Sequence, residues 1–222
     1  MSAILNQDFS TNPKRFFRNH FIHQPDTLCF GTATGLRQFD FNVDHGNRAV
    51  KQRKFRSLRE IPVVSTSLYA AIGGQAQAAP LAFVPVYWLR NAPHDVTSIQ
   101  LDNGANFFFT TTLNGCYIAV GSNHNPIILH IDGSFSNGRQ IQLADNFFGN
   151  SPYRGLSYVP NHGYGNADNA IFYGIRNSRT NRWKFYYQGF DAVGPHSNEM
   201  NAAGFLGTID FKRLYVNEKF RH

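Results

Sequence analysis

Residues 107–133, FFFTTTLNGCYIAVGSNHNPIILHIDG, carry the plainest architectural signal in the chain. Two apolar runs, 116–120 and 126–131, flank a glycine- and asparagine-rich segment, and a third run, 106–112, precedes them across Leu113-Asn114-Gly115. Short runs of aromatic and β-branched residues punctuated in this way read as consecutive strands joined by tight turns. The Asn-Gly pair favours left-handed backbone angles, and residues 121–125 supply a second turn. The spacing predicts a hairpin that brings Cys116, at the start of one strand, beside His130, at the end of the next.

Outward from this segment the pattern stays strand-rich. Residues 38–43 alternate polar side chains with Phe39, Phe41 and Val43, which places those three on one face of a half-buried strand. Residues 81–89, LAFVPVYWL, are almost continuously apolar, as in a strand covered on both faces, with Pro85 requiring a bulge or an edge. The alanine-rich stretch 67–79 is predicted as a short helix broken at Gly73 and Gly74. Downstream, a helix is expected over 138–148 and strands over 156–159, 170–176, 182–188 and 210–216, with 160–169 as a loop. Residues 1–25 show no sustained period and read as an N-terminal arm or peripheral extension, leaving 26–222 as one domain. The expected class is α+β: a β-rich sandwich of two mixed or antiparallel sheets with a few peripheral helices and long loops.

The composition is that of a folded chain, with 42% hydrophobic and only 16% charged residues among 222. Lysine and arginine outnumber aspartate and glutamate by 21 to 14. The excess gathers at Lys14, Arg15 and Arg18 and again at Arg48, Lys51, Arg53, Lys54, Arg56 and Arg59, as solvated faces or as a patch for an acidic partner. Two cysteines are too few for a disulfide-stapled scaffold. The start, MSAILNQDFSTNPKRFF, lacks the parts of a conventional signal peptide, and no run of apolar residues is long enough for a membrane span. If the protein leaves its cell, a dedicated secretion machine or lysis would have to export it.

Chemistry concentrates at Cys116 and His130. By default a cysteine in an apolar strand is a small buried hydrophobe. It becomes a nucleophile only as a thiolate, and a neighbouring imidazole both lowers the thiol pKa and accepts its proton. The turn before Cys116 would direct main-chain N–H groups toward the reacting centre as an oxyanion hole. The other histidines, His20, His23, His45, His94, His124, His162, His196 and His222, show no metal-binding spacing, so no metal site is expected, and acyl transfer by a thiol and an imidazole would need no organic cofactor. His124 reads as an exposed turn residue and Cys29 as a buried thiol. Phe16, Phe17 and Phe21 read as packing residues rather than a nucleic-acid stacking platform, and no nucleic-acid role is expected.

The run FFFTTTLNGCYIAV followed by PIILHIDG resembles the active-site segment of the Burkholderia lethal factor type of toxin. In that family a phenylalanine pair and a threonine precede an LSGC motif, and a proline-containing strand follows, ending in His-Ile-Asp. The cytotoxic necrotizing factor and chemotaxis-receptor deamidases share the wider pattern. The match covers about 25 contiguous residues, with weaker similarity upstream through FVPVYWL. The resemblance implies a cysteine-dependent protein glutamine deamidase, with Cys116 as nucleophile, His130 as general acid/base, Thr110 holding the histidine, and Leu113, Asn114 and Gly115 as the oxyanion and substrate loop. Asn114 stands where the family has serine, and the interval from cysteine to histidine is slightly longer here. It further implies a monomeric bacterial toxin that acts in the host cytoplasm on a protein glutamine, with a translation-initiation helicase as the family's example of a target. Two rivals stay open: a transglutaminase or thiol peptidase using the same pair, and a non-enzymatic basic β-rich binding module.

Overall fold

The computed structural model describes residues 2–23, 33–43, 50–54, 57–61, 63–70, 83–121, 124–157, 169–192 and 200–202. In chain order the elements are α1 (Ser2–Thr11), α2 (Pro13–Asn19), β1 (Phe21–His23), β2 (Gly35–Val43), β3 (Val50–Lys54), β4 (Ser57–Ile61), β5 (Val63–Ala70), β6 (Val84–Leu89), β7 (Val96–Gln100), β8 (Phe107–Thr110), β9 (Leu113–Asn114), β10 (Tyr117–Val120), β11 (Ile127–Ile131), α3 (Asn137–Phe148), β12 (Arg154–Leu156), β13 (Asn169–Asn177), β14 (Arg182–Ala192) and β15 (Met200–Ala202). The architecture is a β-rich sandwich with few helices. The larger, mixed sheet has the order β1-β5-β2-β6-β8-β13-β14-β15-β3-β4, with β9 attached beside β13, and the smaller has the order β12-β10-β11-β7.

Side-chain alternation sorts the apolar residues into three layers of core. Between the sheets lie Tyr87, Leu89 and Phe108 of the larger and Ile118, Val120 and Ile128 of the smaller. On the far face of the larger sheet, Phe39, Phe41, Val86, Trp88, Phe107 and Phe109 pack against Phe9 and Phe16 of the first two helices. On the far face of the smaller sheet, Tyr117, Ala119, Leu129 and Ile131 pack against Ala144 of α3. Every strand of β6, β8, β10 and β11 is thus covered on both sides, which explains their nearly unbroken apolar sequences.

Local chemistry sets the helix ends. Asn12 accepts a hydrogen bond from the Arg15 N–H at 3.1 Å and Pro13 opens α2, while Ser136 accepts from the Arg139 N–H at the start of α3. Gly149 closes α3 with a φ of 55°.

The expected alternation is present over residues 38–41 of β2, where Phe39 and Phe41 are fully buried, and the side chain of Val43 lies outside the described residues. Pro85 lies in β6 opposite Gln38 of β2, and β8 joins the other flank only from Val86 onward, so the proline leaves no bond of that second ladder unmade. The helix expected over 67–79 is not formed at its start: residues 67–70 belong to β5, whose full-length pairing with β2 outweighs the alanine content, and 71–79 lie outside the described residues. Cys29, most of the loop expected at 160–169 and the strand expected at 210–216 also lie outside them. Residues 1–25, expected as an arm or extension, supply Phe9, Phe16 and Ile22 to the core, each at most 2% exposed.

Phe109 meets the rings of Phe9, Phe39, Phe41 and Tyr173, so it joins the helical layer to three strands of the larger sheet. Truncation to alanine should cost about 3–5 kcal/mol in urea unfolding. Phe147→Ala, at a side chain 49% exposed, should cost less than about 0.5 kcal/mol. Equal losses would contradict this core.

Candidate active site

The site forms at the open end of the β10–β11 hairpin, where the two sheets approach each other. Antiparallel pairing sets Ile118 opposite His130 and Tyr117 opposite Ile131. Continued one step, the register sets Cys116 opposite Asp132 and diagonal to His130, an arrangement that ordinarily separates Cα atoms by roughly 7–8 Å. Cys116 shares the inter-sheet core with Ile118, and His130 alternates with Ile128 of that core, so both side chains belong to the same face. Cys116 is 3% exposed and His130 fully buried.

The expected connection at 113–115 differs from a simple turn. Leu113 and Asn114 form β9, paired with Ala170 and Asn169 of β13, and the chain crosses to the smaller sheet at Gly115 with a φ of 72°. That angle is in the left-handed region where glycine is the residue without strain. Leu113 is an anchor in the inter-sheet core rather than a loop contact, whereas Asn114 is exposed. The Cys116 thiol lies 3.7 Å from the Asn114 carbonyl.

Thr110 ends β8 and meets His130 directly. Its Oγ1 lies 2.8 Å from the Leu89 carbonyl, to which it donates, and 2.6 Å from His130 Nδ1. Since the hydroxyl proton goes to Leu89, the short contact requires Nδ1–H to donate to Thr110, which fixes the tautomer and leaves the lone pair on Nε2. Nε2 is buried and has no hydrogen-bond partner among the described residues. In this tautomer Nε2 presents its lone pair, the geometry that a proton acceptor requires.

Three further residues frame the pair. Asp132 accepts from Asn91 Nδ2 at 2.9 Å and from the His94 N–H at 3.0 Å, which ties the β6–β7 loop to the end of β11. Gln140 of α3, fully buried, donates from Nε2 to the carbonyls of Gly115 and Asp132. Gly133 packs against residues 114–116 so closely that a Cβ there would stand 2.6 Å from the Asn114 oxygen. Of the three, only Asp132 has a signal in the sequence, its place in His-Ile-Asp.

Burial dominates the electrostatics. It pushes the Cys116 thiol above its ordinary pKa, with main-chain hydrogen bonds at Asn114 and Gly133 opposing and the Asp132 charge adding to the rise. It pushes His130 down to about 3, with Asp132 opposing. Burial also works to raise Asp132, but hydrogen bonds from Ser134, Asn91 and His94 prevail and hold it below the usual carboxylate range. At neutral pH the resting pair is therefore thiol and neutral imidazole, with no ion pair.

Other features lie apart from this centre. His124 is exposed in the hairpin turn and accepts from Arg182 Nε at 3.0 Å, at the end of the hairpin away from Cys116. A cleft of about 390 Å³ at that same end is lined by Gln100, Gly121, Ile127, Phe147, Phe148 and Pro152. In the basic segment of α2, the Lys14 ammonium lies 5.9 Å from the centre of the Tyr186 ring. Among the described residues no group of histidine, cysteine, aspartate and glutamate is placed to hold a metal ion, and no helix is long and apolar enough to cross a membrane.

The unfolded chain takes up the His130 proton near pH 6.5, whereas the folded chain resists it down to about 3. Stability contributed by the neutral form is therefore present above about pH 6.5 and is lost as the pH falls toward 3. Between about pH 6.5 and about pH 5, where carboxylates stay ionised, the Tm of the unaltered protein should drop more steeply than that of His130→Asn. Parallel slopes would rule out a buried neutral imidazole.

Comparison of the chain with protein-family models and with curated proteins returns no match, so the meaning of this site rests on its own geometry and on the sequence resemblance.

Proposed function

We propose that this chain is a cysteine-dependent protein glutamine deamidase, with Cys116 as nucleophile, His130 as general acid/base and Thr110 as the group that holds the histidine. The observation that carries this reading is the His130 imidazole, whose Nδ1–H is committed to Thr110 while its buried Nε2 is left with an unused lone pair. An apolar core gains nothing from such an atom, because an unpartnered buried acceptor costs about 1–3 kcal/mol. A lone pair on the same sheet face as the thiol, diagonal to it in the β10–β11 ladder, has a use as a proton acceptor. The likeness of 107–133 to the lethal factor deamidases names the same three residues independently of their geometry.

In this reading the sulfur attacks the side-chain carbonyl of a substrate glutamine as Nε2 takes the thiol proton. The carbonyl electron pair moves to oxygen, where main-chain N–H donors near Cys116 stabilise it. Collapse of the adduct breaks the C–N bond, and His130 returns the proton to the departing ammonia. Water, deprotonated by the same imidazole, then opens the thioester and leaves glutamate. Because the resting pair is neutral, proton transfer accompanies attack rather than preceding it. Asn114 and Gly115 lie at the edge of the site, where substrate would first meet the chain.

By the same resemblance the protein is an exported bacterial toxin or effector, and its substrate is a host protein of the translation-initiation helicase kind. Incubation of the purified chain with host lysate, followed by peptide mass spectrometry, should reveal a glutamine converted to glutamate. Cys116→Ser should lower the conversion rate by several orders of magnitude. Conversion that persists in the variant would sink the assignment, and incorporation of a labelled amine in place of water would move it to transglutaminase chemistry.

A further inference from the structure

Gly115 and Cys116 share one peptide unit, and three separate features of the fold hold that unit in place. Gly115 takes a left-handed φ of 72°. Gly133 lies against it, where an added Cβ would come within 3.0 Å of Gly115 C and 3.2 Å of Cys116 N. Gln140 donates from Nε2 to the Gly115 carbonyl at 2.9 Å and to the Asp132 carbonyl at 3.0 Å. Both partners are pure acceptors, which fixes the amide orientation.

The direction of the pull matters. Gln140 rises from α3, which covers the face of the smaller sheet formed by Tyr117, Ala119, Leu129 and Ile131. Cys116 and His130 belong to the opposite face. In a trans peptide the C=O and N–H bonds point in opposite directions. Drawing the Gly115 oxygen toward α3 therefore turns the Cys116 N–H away from it. The same hydrogen bond polarises the peptide and strengthens the N–H as a donor.

Gln140 is also an expensive choice for a packing residue. Its side chain is fully buried, and Oε1 has no partner among the described residues. An apolar side chain of similar volume would fill the space without that loss. What the glutamine supplies is a pair of donors placed on the residue before the thiol and on the residue two past the imidazole.

We infer that Gln140 is a positioning residue of the deamidase site: through the Gly115 carbonyl it aims the Cys116 N–H and makes it the oxyanion donor. The inference rests on the proposed acyl-transfer chemistry and adds to it the residue that prepares the oxyanion hole.

Two probes of Cys116 separate this role from a structural one. Acylation by p-nitrophenyl acetate forms the S–C bond as Nε2 takes the thiol proton. The carbonyl electron pair moves to oxygen and returns as the bond to nitrophenolate breaks, so the step develops an oxyanion. Alkylation by iodoacetamide displaces iodide from a saturated carbon and develops none. In Gln140→Met, acetylation of Cys116, followed by nitrophenolate release and peptide mass spectrometry, should slow by about 10²–10³. Its alkylation should stay within about threefold of the unaltered rate. Gln140→Glu provides the second reading, because a buried carboxyl facing two carbonyls stays protonated to raised pH and donates one hydrogen bond. Its acylation rate should be intermediate at about pH 5 and fall as the pH rises toward about 8, a limb absent from the unaltered protein.

Acylation and alkylation that both survive in Gln140→Met would overturn the inference, as would a parallel loss of both or the absence of the new limb in Gln140→Glu. Failure of the unaltered protein to react with either probe at Cys116 would instead defeat the nucleophile assignment, and this inference with it.

Discussion

A polar group in an apolar interior must be answered by other polar groups, and His130 is answered across the gap between two sheets. Its Nδ1–H reaches Thr110 on the larger sheet, and Thr110 passes its own proton to the carbonyl of Leu89 on the neighbouring strand. The relay runs through the inter-sheet core, so β6, β8 and β11 must keep their positions for it to exist. The aromatic layer on the far side of the larger sheet, with Phe109 and Trp88 fully buried, is what keeps β6 and β8 in place. Packing and chemistry are coupled at this point: sliding one sheet over the other would strand an imidazole in hydrocarbon with neither nitrogen satisfied.

Burial gives the site its electrical character. It holds the thiol protonated and the imidazole neutral, while the Asp132 carboxylate, ionised by its own hydrogen bonds, favours the imidazolium and disfavours the thiolate. The net result is a cysteine–histidine pair that carries no charge at rest beside an ionised Asp132. A neutral resting thiol is less open to adventitious oxidation than a thiolate. In the proposed reaction, attack then depends on the geometry presented to an arriving carbonyl rather than on a standing ion pair, which is why the orientation of one peptide unit carries so much weight.

Period-two alternation and apolar runs are written in the side chains, so β2, the β10–β11 hairpin and the shared face of Cys116 and His130 were legible in the sequence. Sheet membership was not. Residues 107–110 and 117–120 look like neighbours, yet they lie in different sheets because Leu113 and Asn114 pair with β13, a partner distant in the chain. The alanines near residue 70 suggested a helix where cross-strand pairing with β2 prevails. Gln140 left no trace at all: a glutamine four residues before Ala144 on an amphipathic helix reads as a solvent residue, and only the fold shows that α3 turns it inward. Thr110 was found through the family motif, and its hydrogen bond to His130 has a physical cause that spacing alone could not supply.

The hairpin has two ends of unequal consequence. Its turn, between Gly121 and Pro126, faces away from the site, while the cysteine and histidine stand at the open end, where register fixes them. Residues added to or removed from the turn change the count between Cys116 and His130 without moving either, provided the ladder from Ile118 to Val120 is kept. The interval between Cys116 and His130 is therefore a measure of turn length and carries no information about how the two side chains are placed. In this chain the diagonal relation of Cys116 to His130 is set by the β10–β11 ladder, so a search keyed to a fixed spacing would miss chains that differ from it only in the turn.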